Sequence, residues 1–203
     1  MSSAMTVQDQ TDILDHLAGI APGSALDGVR RERPQTRDNI QASYAALFSA
    51  PDETGVTSSE RLAVAGFVGL LHDDAPASAH YLALLEAQPD GEVLVPAVRR
   101  QAEKAAAHGP YGAYPPGPLS QEDVAGPIFV VTGVDAEPLG ERLSAALAHV
   151  HLLVFHPRDA RAADLVGLEK AGWSTSAIVT LSQIVAYLSF QIRAAHGLRV
   201  LGA

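Results

Sequence analysis

The C-terminal block from Leu168 to Leu201 constrains the fold more than any other part of the chain. Its apolar residues recur at alternating spacings of three and four, which is the spacing of one face of an α-helix. The pattern predicts a helix from Ser174 to just before Gly197. A second apolar face predicts that this helix lies at the centre of a helical bundle or at a subunit interface. The first face consists of Ile178, Leu181, Val185, Leu188, Ile192 and Ala195, and the second of Val179, Ala186 and Phe190.

Similar patterns predict helices along most of the remaining chain. They cover residues 9–20, 36–49, a segment opened by an N-cap at Ser58 or Ser59, and residues 74–87, 96–108, 138–156 and 159–170. Residues 108–120 are rich in Gly, Pro and Tyr and predict a linker, whereas residues 127–132 predict an extended packed segment. We therefore expect one compact all-α protein. Its parts are an N-terminal helical extension (1–50), a first helical unit (51–107), a Pro/Gly-rich linker (108–126) and a second helical unit (127–203).

The composition excludes several classes of protein. The chain has 203 residues, 47% of them hydrophobic, and no cysteine, so it can bury a sizeable core but has no disulfide, thiolate nucleophile or cysteine metal site. Its formal charge of −9 disfavours nonspecific binding to nucleic acid. The N-terminus has no signal-peptide pattern, and the longest apolar stretch is shorter than the ~20 residues that span a bilayer. We expect a cytoplasmic protein that binds neither nucleic acid nor membrane.

The two predicted units share a weak internal repeat. Glu60-Arg61-Leu62 and Glu141-Arg142-Leu143 lie 81 residues apart, and each precedes an alanine-rich apolar helix. His72 and His156, which follow these helices, are offset by 84 residues. A duplication predicts two similar helical units packed together, and chance similarity between alanine-rich helices is the alternative.

The closing block resembles the last helices of the carboxymuconolactone decarboxylase and alkylhydroperoxidase D superfamily. In that superfamily, a helix ending in Cys-x-x-Cys-x-x-x-His is followed by a second helix, which runs to an Ala-Gly-(Leu)-Ser junction where the final helix begins. The segment Leu168-Glu169-Lys170-Ala171-Gly172-Trp173-Ser174 is similar to that junction. The resemblance covers roughly residues 36–87 and 119–201. It implies the alkylhydroperoxidase D-like helical fold, in the plan of the two-unit, peroxidase-related members with an N-terminal extension.

The cysteine pair of that superfamily is missing from this chain. The places of the two cysteines and the histidine are held by Pro157, Ala160 and Asp164 in the second unit and by Asp73, Pro76 and His80 in the first. A peroxidase of this type needs one thiolate to attack the peroxide and a second to resolve the sulfenic acid, so the mechanism is excluded. The decarboxylase-like relatives use acid–base chemistry on a lactone acid, for which a histidine is a suitable proton carrier.

The second unit concentrates residues suited to such chemistry, namely His149, His151, His156 and Asp164. His149 and His156 share a helix face but lie roughly 10 Å apart along the axis, so one metal ion cannot bind both. Histidine pairs that bind metal on a helix usually lie at i and i+4, and the sequence has no such pair. His151 points nearly opposite to His149, so we expect at most one of them in any given pocket. The alternative for each histidine is a hydrogen-bonded structural role.

The first unit and the last helix supply the other candidates. His80 matches the superfamily's motif histidine and is followed by Tyr81. Glu141 is a candidate general base, with a favourable interaction with the helix N-terminus as the alternative. Gln191 interrupts the apolar last helix, and we expect it to bond across a subunit interface or toward a ligand. The candidate catalytic residues are therefore His80, His149, His151 and Glu141, and the candidate binding residues are Tyr81, His156, Asp164 and Gln191.

Three functional hypotheses follow. The first is a divergent carboxymuconolactone decarboxylase-like protein that uses no cofactor, forms a homo-oligomer and performs acid–base chemistry on a small organic acid or lactone. The second is a non-catalytic oligomeric scaffold or accessory protein, and the third is a metal-dependent enzyme whose ligands come from several helices. A cavity with two convergent polar groups favours the first hypothesis. Apolar filling at the places of the cysteines favours the second.

Overall fold

The computed structural model describes residues 12–49, 52–109 and 111–203. Within these ranges the chain is all-helical, with nine α-helices and one isolated β-bridge between Gly112 and Val124. This confirms the predicted all-α class and the extended, non-strand conformation of residues 127–132. The helices are α1 (Ile13–Ala18), α2 (Ala25–Arg31), α3 (Pro34–Tyr44), α4 (Ser58–Leu71), α5 (Ala75–Glu86), α6 (Gly91–Ala105), α7 (Ala136–Phe155), α8 (Ala162–Lys170) and α9 (Thr175–Gly202).

Helix α4 lies at the centre of the protein and contacts α5, α6, α7 and α9. It is apolar almost all round, and every residue from Arg61 to Gly69 is accordingly buried. The helix begins with a capping box, in which the Glu60 amide donates to the Thr57 hydroxyl and the Thr57 amide donates to the Glu60 carboxylate, at 3.2 and 2.9 Å. The predicted N-cap at Ser58 or Ser59 is therefore wrong, because the hydroxyl that caps this helix belongs to Thr57.

Helix α9 begins after an N-cap at Ser174, as predicted, but continues through Gly197 to Gly202. The predicted end is wrong because an interior glycine costs a helix only about 1 kcal/mol and no proline follows it. The predicted apolar stripe is buried along its whole length. The second apolar face is not covered by the part of the chain that the structure describes, since Val179 is 52% and Phe190 49% exposed.

Helix α9 is also the one helix of the described residues that is long and apolar enough to cross a membrane. The expectation that this stretch is too short is therefore wrong, since the helix has 28 residues and its most apolar window a mean hydropathy of 1.3. One face of the helix packs on α1, α4 and α7, and 44% of that window is buried. Core helices of globular proteins share these properties, so α9 indicates a membrane only weakly.

Helices α1 to α3 form the N-terminal extension, and α2 is not among the predicted helices. Helix α1 covers only the end of the predicted helix 9–20, whose first residues lie outside the described ranges. The guanidinium of Arg30 joins α2 to α1 by contacting Asp12 and Asp15, each at 2.5 Å. All three side chains are buried, so this ion-pair cluster fixes the extension locally.

The starts of the two predicted units lie side by side. Arg142 of α7 donates from Nε to Glu60 Oε1 of α4 at 2.6 Å, and its guanidinium stacks over Trp173 at 4.0 Å from the ring centre. Trp173 is 2% exposed and donates from its indole nitrogen to the Arg142 carbonyl at 2.8 Å. The two Glu-Arg-Leu triplets therefore meet at one junction of α4, α7 and the α8–α9 turn, while their origin by duplication stays a prediction.

The connection from α7 to α9 determines the geometry of the candidate site. Helix α7 ends at Phe155, a short 3₁₀ turn covers Pro157–Asp159, and α8 follows. Gly172 has a φ of 90°, which is the left-handed conformation predicted for a glycine after a helix end. The extended segment 126–132 crosses α7 and places Phe129 against His151, with ring centres 5.3 Å apart. This arrangement leaves a cavity bordered by α7, α8 and the extended segment.

Candidate functional site

The cavity beside α7 has a volume of about 410 Å³ and a largely apolar wall. This volume lies within the range of small-molecule sites in proteins. Three imidazoles and one carboxylate, those of His149, His151, His156 and Asp164, belong to its lining. The remaining lining residues are Pro127, Ile128, Phe129, Ala145, Ala148, Leu152, Ala163, Gly167 and Leu168. A cavity that contains several polar groups favours the first functional hypothesis, acid–base chemistry on a small organic molecule.

His149 is buried and has one free nitrogen. Its Nε2 lies 3.4 Å from the Ser182 hydroxyl, which itself donates to the Ile178 carbonyl at 2.9 Å. The hydroxyl proton is used there, so Nε2 of His149 carries a proton and donates to Ser182. Its Nδ1 is buried without a hydrogen-bond partner among the described residues. A neutral His149 therefore has a lone pair on this buried Nδ1, and its side chain belongs to the cavity lining.

Burial sets the protonation state of this imidazole. Desolvation lowers the pKa of His149 below its ordinary value of 6.5, and the negative charge of Asp164 opposes that shift. His149 is consequently neutral at pH 7 and able to accept a proton. Once it has accepted one, the carboxylate of Asp164 favours the resulting imidazolium by the same electrostatic interaction.

His151 packs among aromatic rings, whereas His156 fixes the extended segment. His151 is 2% exposed, and the ring centre of Phe155 lies 4.9 Å from its own. Burial and the neighbouring His156 lower the pKa of His151, so it too is neutral at pH 7. His156 donates from Nε2 to the Pro127 carbonyl at 3.1 Å, and its Nδ1 lies 3.4 Å from Asp159 Oδ2. The Nδ1 contact is within ion-pair distance but lacks hydrogen-bond geometry.

The expectation that at most one of His149 and His151 faces a given pocket is wrong. Both line the same cavity, although they lie on nearly opposite sides of α7. The reason is that two different elements border the helix there. Helix α8 brings Asp164 to the His149 side, and the extended segment brings Phe129 to the His151 side.

The other two candidates from this part of the chain lie at the edge of the site or away from it. Asp164 is exposed at the start of α8, where its carboxylate accepts from the Arg161 amide at 2.8 Å while bordering the cavity. Glu141 is exposed at the start of α7 and does not belong to the cavity lining.

His80 and Tyr81 belong to a separate cluster beneath the N-terminal extension. The Nε2 of His80 lies 2.9 Å from the Tyr44 hydroxyl, and the ring of His16 is 5.2 Å away, centre to centre. Burial, with a further contribution from His16, lowers the pKa of His80 to about 4. Desolvation also raises the pKa of Tyr81 well above its ordinary value, so both groups are neutral at pH 7.

Gln191 completes this cluster within one chain. Its Oε1 accepts from the Tyr81 hydroxyl at 2.6 Å, and its Nε2 donates to the Tyr187 hydroxyl at 3.0 Å. The expectation that Gln191 bonds across a subunit interface or to a ligand is therefore wrong, because neighbouring tyrosines of the same chain satisfy its amide. Apart from Glu141, the predicted site residues thus fall into two groups, and only the group of His149, His151, His156 and Asp164 lines the cavity.

Two parts of the site were missed at the level of sequence. Ser182 accepts the hydrogen bond that fixes the tautomer of His149, and residues 127–129 of the extended segment line the cavity. The sequence of the segment does indicate an extended chain with one buried side, because its apolar residues alternate between inward and outward positions. Ile128 and Val130 are 91% and 60% exposed, whereas Phe129 and Val131 pack on the core.

The described residues contain no group of three or more His, Asp or Glu side chains placed to hold a metal ion. Comparisons of the sequence with protein-family models and with curated proteins gave no match. The geometry and chemistry of the cavity therefore carry the functional assignment.

Proposed function

We propose that the chain is a cysteine-free relative of the carboxymuconolactone decarboxylase and alkylhydroperoxidase D superfamily that binds a small organic molecule in the cavity beside α7 and performs acid–base chemistry on it. The observation that carries the proposal is that His149 lines the cavity and that its buried Nδ1 has no hydrogen-bond partner among the described residues. Buried polar atoms are normally hydrogen-bonded, so a ligand that supplies the missing partner gains affinity at this point. The α7–α8–α9 succession and the Gly172 turn support the family resemblance.

His149 has the role of general base in this proposal. Its Nδ1 accepts a proton from the substrate or from an attacking water, and the imidazolium that forms keeps its Nε2–H bond to Ser182. Asp164 lowers the free energy of that imidazolium and is therefore a positioning group with an electrostatic role. The proton leaves Nδ1 for the leaving oxygen in the second half of the reaction, so the base is regenerated.

The electrostatics of the cavity favour a neutral carbonyl compound, such as a lactone, over a free carboxylate. The imidazoles of His149 and His151 are neutral at pH 7, while Asp164 contributes a negative charge at the edge. A carboxylate would meet this charge without a compensating cation in the described lining. The apolar side chains of Phe129, Leu152 and Leu168 suit the hydrocarbon part of such a molecule.

The proposal is tested with δ-valerolactone as the probe, at pH 7, by histidine-selective NMR and by pH-stat hydrolysis. We expect the probe to shift the imidazole signals of His149 and His156 and to leave those of His80 unchanged, because His80 lies in the other cluster. A His149→Gln variant should lose at least about 100-fold in any hydrolysis rate, the lower end of general-base contributions.

His80→Gln is the matched control, since it makes the same change in a half-buried imidazole outside the cavity. Equal losses of rate in the two variants would contradict the assignment of His149. Shifts confined to His80 would place the binding site in the cluster beneath α1 to α3 and overturn the proposal.

A non-catalytic oligomeric protein is the second candidate, and the uncovered face of α9 favours it. Val179, Phe190 and Val200 are 52%, 49% and 64% exposed on a helix whose opposite face is core. A large exposed apolar surface is typical of protein–protein contacts, and this supports the proposal of a homo-oligomer. The places of the missing cysteines do not favour this candidate, because Pro157 and Ala160 are exposed and fill no core.

The metal-dependent alternative gains no ligand set from the described residues. We also propose that the protein is cytoplasmic, which the absence of cysteine from the sequence and the packing of α9 in the core support.

A further inference from the structure

A second cavity lies on the other side of the C-terminal turns of α7. It has a volume of about 410 Å³ and shares no lining residue with the histidine cavity. Its lining includes the apolar or aromatic side chains of Tyr111, Val154 and Phe155. The same lining carries His72 and two arginines, Arg158 and Arg193. We call this cavity the arginine cleft.

The two arginines bring two positive charges into one cleft of a chain with a formal charge of −9. Other arginines, such as Arg30, Arg142 and Arg199, contact a carboxylate of the chain. For Arg158 and Arg193, no carboxylate of the described residues lies within 4.0 Å of the guanidinium. Their charge is therefore not neutralised by an ion pair in the part of the chain that the structure describes.

The arginines differ in how firmly they are held. Arg158 donates from Nη2 to the Tyr111 carbonyl at 2.9 Å and stacks over the Tyr114 ring, with 3.7 Å between the guanidinium carbon and the ring centre. These contacts orient its planar group before any ligand arrives. Arg193 projects from α9 and is exposed, so it is free to adjust to a bound group.

The two arginines carry the positive charge of the cleft, because the histidine in its lining, His72, is neutral at pH 7. Burial and the charge of Arg193 lower the pKa of His72, so this imidazole is neutral at pH 7 and serves as a hydrogen-bonding group. Asp73 and Asp74 line the neighbouring cavity, which His72 and Arg193 also border. Asp74 is held there by Arg199, whose guanidinium satisfies its charge. No Asp or Glu belongs to the described lining of the arginine cleft itself.

We propose that the arginine cleft binds a small organic monocarboxylate with an apolar or aromatic body. A guanidinium offers two parallel N–H donors that match the two oxygens of a carboxylate, and Arg158 and Arg193 provide two such groups. Tyr111, Val154 and Phe155 line the same cleft and suit a hydrocarbon or ring. This site is distinct from the histidine cavity, so a ligand here does not depend on the acid–base function proposed above.

The test measures binding of three probes to the full chain by isothermal titration calorimetry at pH 7. The probes are benzoate, its uncharged isostere benzamide, and inorganic phosphate. We expect benzoate to bind at least about tenfold more tightly than benzamide, since charge-assisted hydrogen bonds contribute enough for such a ratio. Phosphate should bind more weakly than benzoate, because it gains nothing from the apolar lining.

Arg193→Gln and Arg158→Gln should each weaken benzoate binding about tenfold or more, with little effect on benzamide. Arg99→Gln is the matched control, because it removes the same charge from an exposed residue of α6 outside the cleft. In NMR spectra, benzoate should shift the signals of His72 and Tyr111. Circular dichroism and thermal unfolding of each variant establish that the fold is intact.

Four outcomes would overturn the proposal. They are the absence of benzoate binding at millimolar concentration, equal affinity for benzoate and benzamide, an equal loss of affinity in Arg99→Gln, and shifts confined to His149 and His156. Phosphate binding as tight as benzoate binding would overturn the assignment of an organic ligand and leave a simple anion site.

Discussion

The buried hydrogen bonds of Gln191 provide a sharp test of the packing between α5 and α9. Gln191 and Tyr81 are both 0% exposed, and the tyrosine hydroxyl donates to Gln191 Oε1 at 2.6 Å. The substitution Gln191→Leu keeps the approximate volume of the side chain and removes both polar groups. The Tyr81 hydroxyl is then left without its acceptor in the core. Tyr187 is less affected, because its hydroxyl still donates to the Ile40 carbonyl at 3.1 Å.

The expected cost follows from the one hydroxyl that loses its partner. A buried polar group without a hydrogen bond costs about 1–3 kcal/mol, and the apolar leucine offsets part of this by removing a buried amide. We therefore expect Gln191→Leu to lower the free energy of unfolding by about 2 kcal/mol. For a chain of this size, that corresponds to a fall in Tm of about 4–8 °C.

The assay is urea unfolding followed by circular dichroism, for the single variants and the double variant. Tyr81→Phe alone should also be destabilising, because it leaves Gln191 Oε1 unpaired. The double variant Tyr81→Phe/Gln191→Leu removes both partners together and should be more stable than the sum of the single effects implies. We expect a coupling energy of about 1 kcal/mol or more. Gln183→Leu is the matched control, since Gln183 lies on the exposed side of the same helix.

Two results would refute this reasoning. One is a loss of stability in Gln183→Leu as large as that in Gln191→Leu. The other is strict additivity in the cycle, which would mean that the Tyr81–Gln191 contact contributes nothing specific to the folded state.

Three further predictions concern other parts of the molecule. Because the pKa of His80 is about 4 in the folded chain and 6.5 ordinarily, its contribution to stability is present above pH 6.5 and lost as the pH falls toward 4. The loss should be about 1–2 kcal/mol after solvent screening of this half-buried ring, and unfolding of His80→Phe at pH 7 and 4.5 should show a smaller pH effect than the wild type. An alanine Cβ at Gly126 would lie 2.6 Å from the His156 ring, so Gly126→Ala should lower the free energy of unfolding by about 1–3 kcal/mol and shift the His156 NMR signals. Gly28→Ala is the control and should do neither, because no atom lies within 4 Å of the added Cβ. Equal stabilities of the two variants would contradict the packing at Gly126. Light scattering should find more than one chain per particle for the wild type and fewer for Phe190→Glu. Val93→Glu on α6 is the control, because it makes a charged substitution at an exposed apolar residue away from α9. A wild-type monomer of 21.2 kDa would exclude assembly through α9.

The predicted site shows which groupings of functional residues can be predicted from local sequence patterns. His149, His151, His156 and Asp164 were selected for their chemistry and their closeness in sequence, and all four line one cavity. His80 and Tyr81 were predicted from the match to the motif histidine and Gln191 from its place in an apolar helix, and they form a separate, internally bonded cluster. The sequence does not separate these groups, because the distinction depends on which side of each helix another element covers.

The exposed apolar face of α9 shows a second property, assembly, that residue spacing alone does not predict. Its two apolar faces follow from residue spacing alone, but a spacing pattern does not distinguish a face buried within the chain from one left for a partner. The structure buries the Leu181 and Leu188 side and leaves Val179 and Phe190 exposed. The arginine cleft is a comparable case, because Arg158 and Arg193 come from distant parts of the chain and have no common sequence signal.

The sequence by itself determined the all-helical class, the stripe that α9 buries, the left-handed Gly172 that follows α8 and the exclusion of thiol chemistry. Each of these depends on residue type or on spacing within a few turns of one helix, where the physics is local. The tertiary structure alone decided the second helix of the N-terminal extension, the shared cavity of His149 and His151, and the intrachain partners of Gln191. Those features depend on contacts between residues far apart in the chain, such as Tyr81 with Gln191, and packing free energy selects such contacts only when the whole core forms.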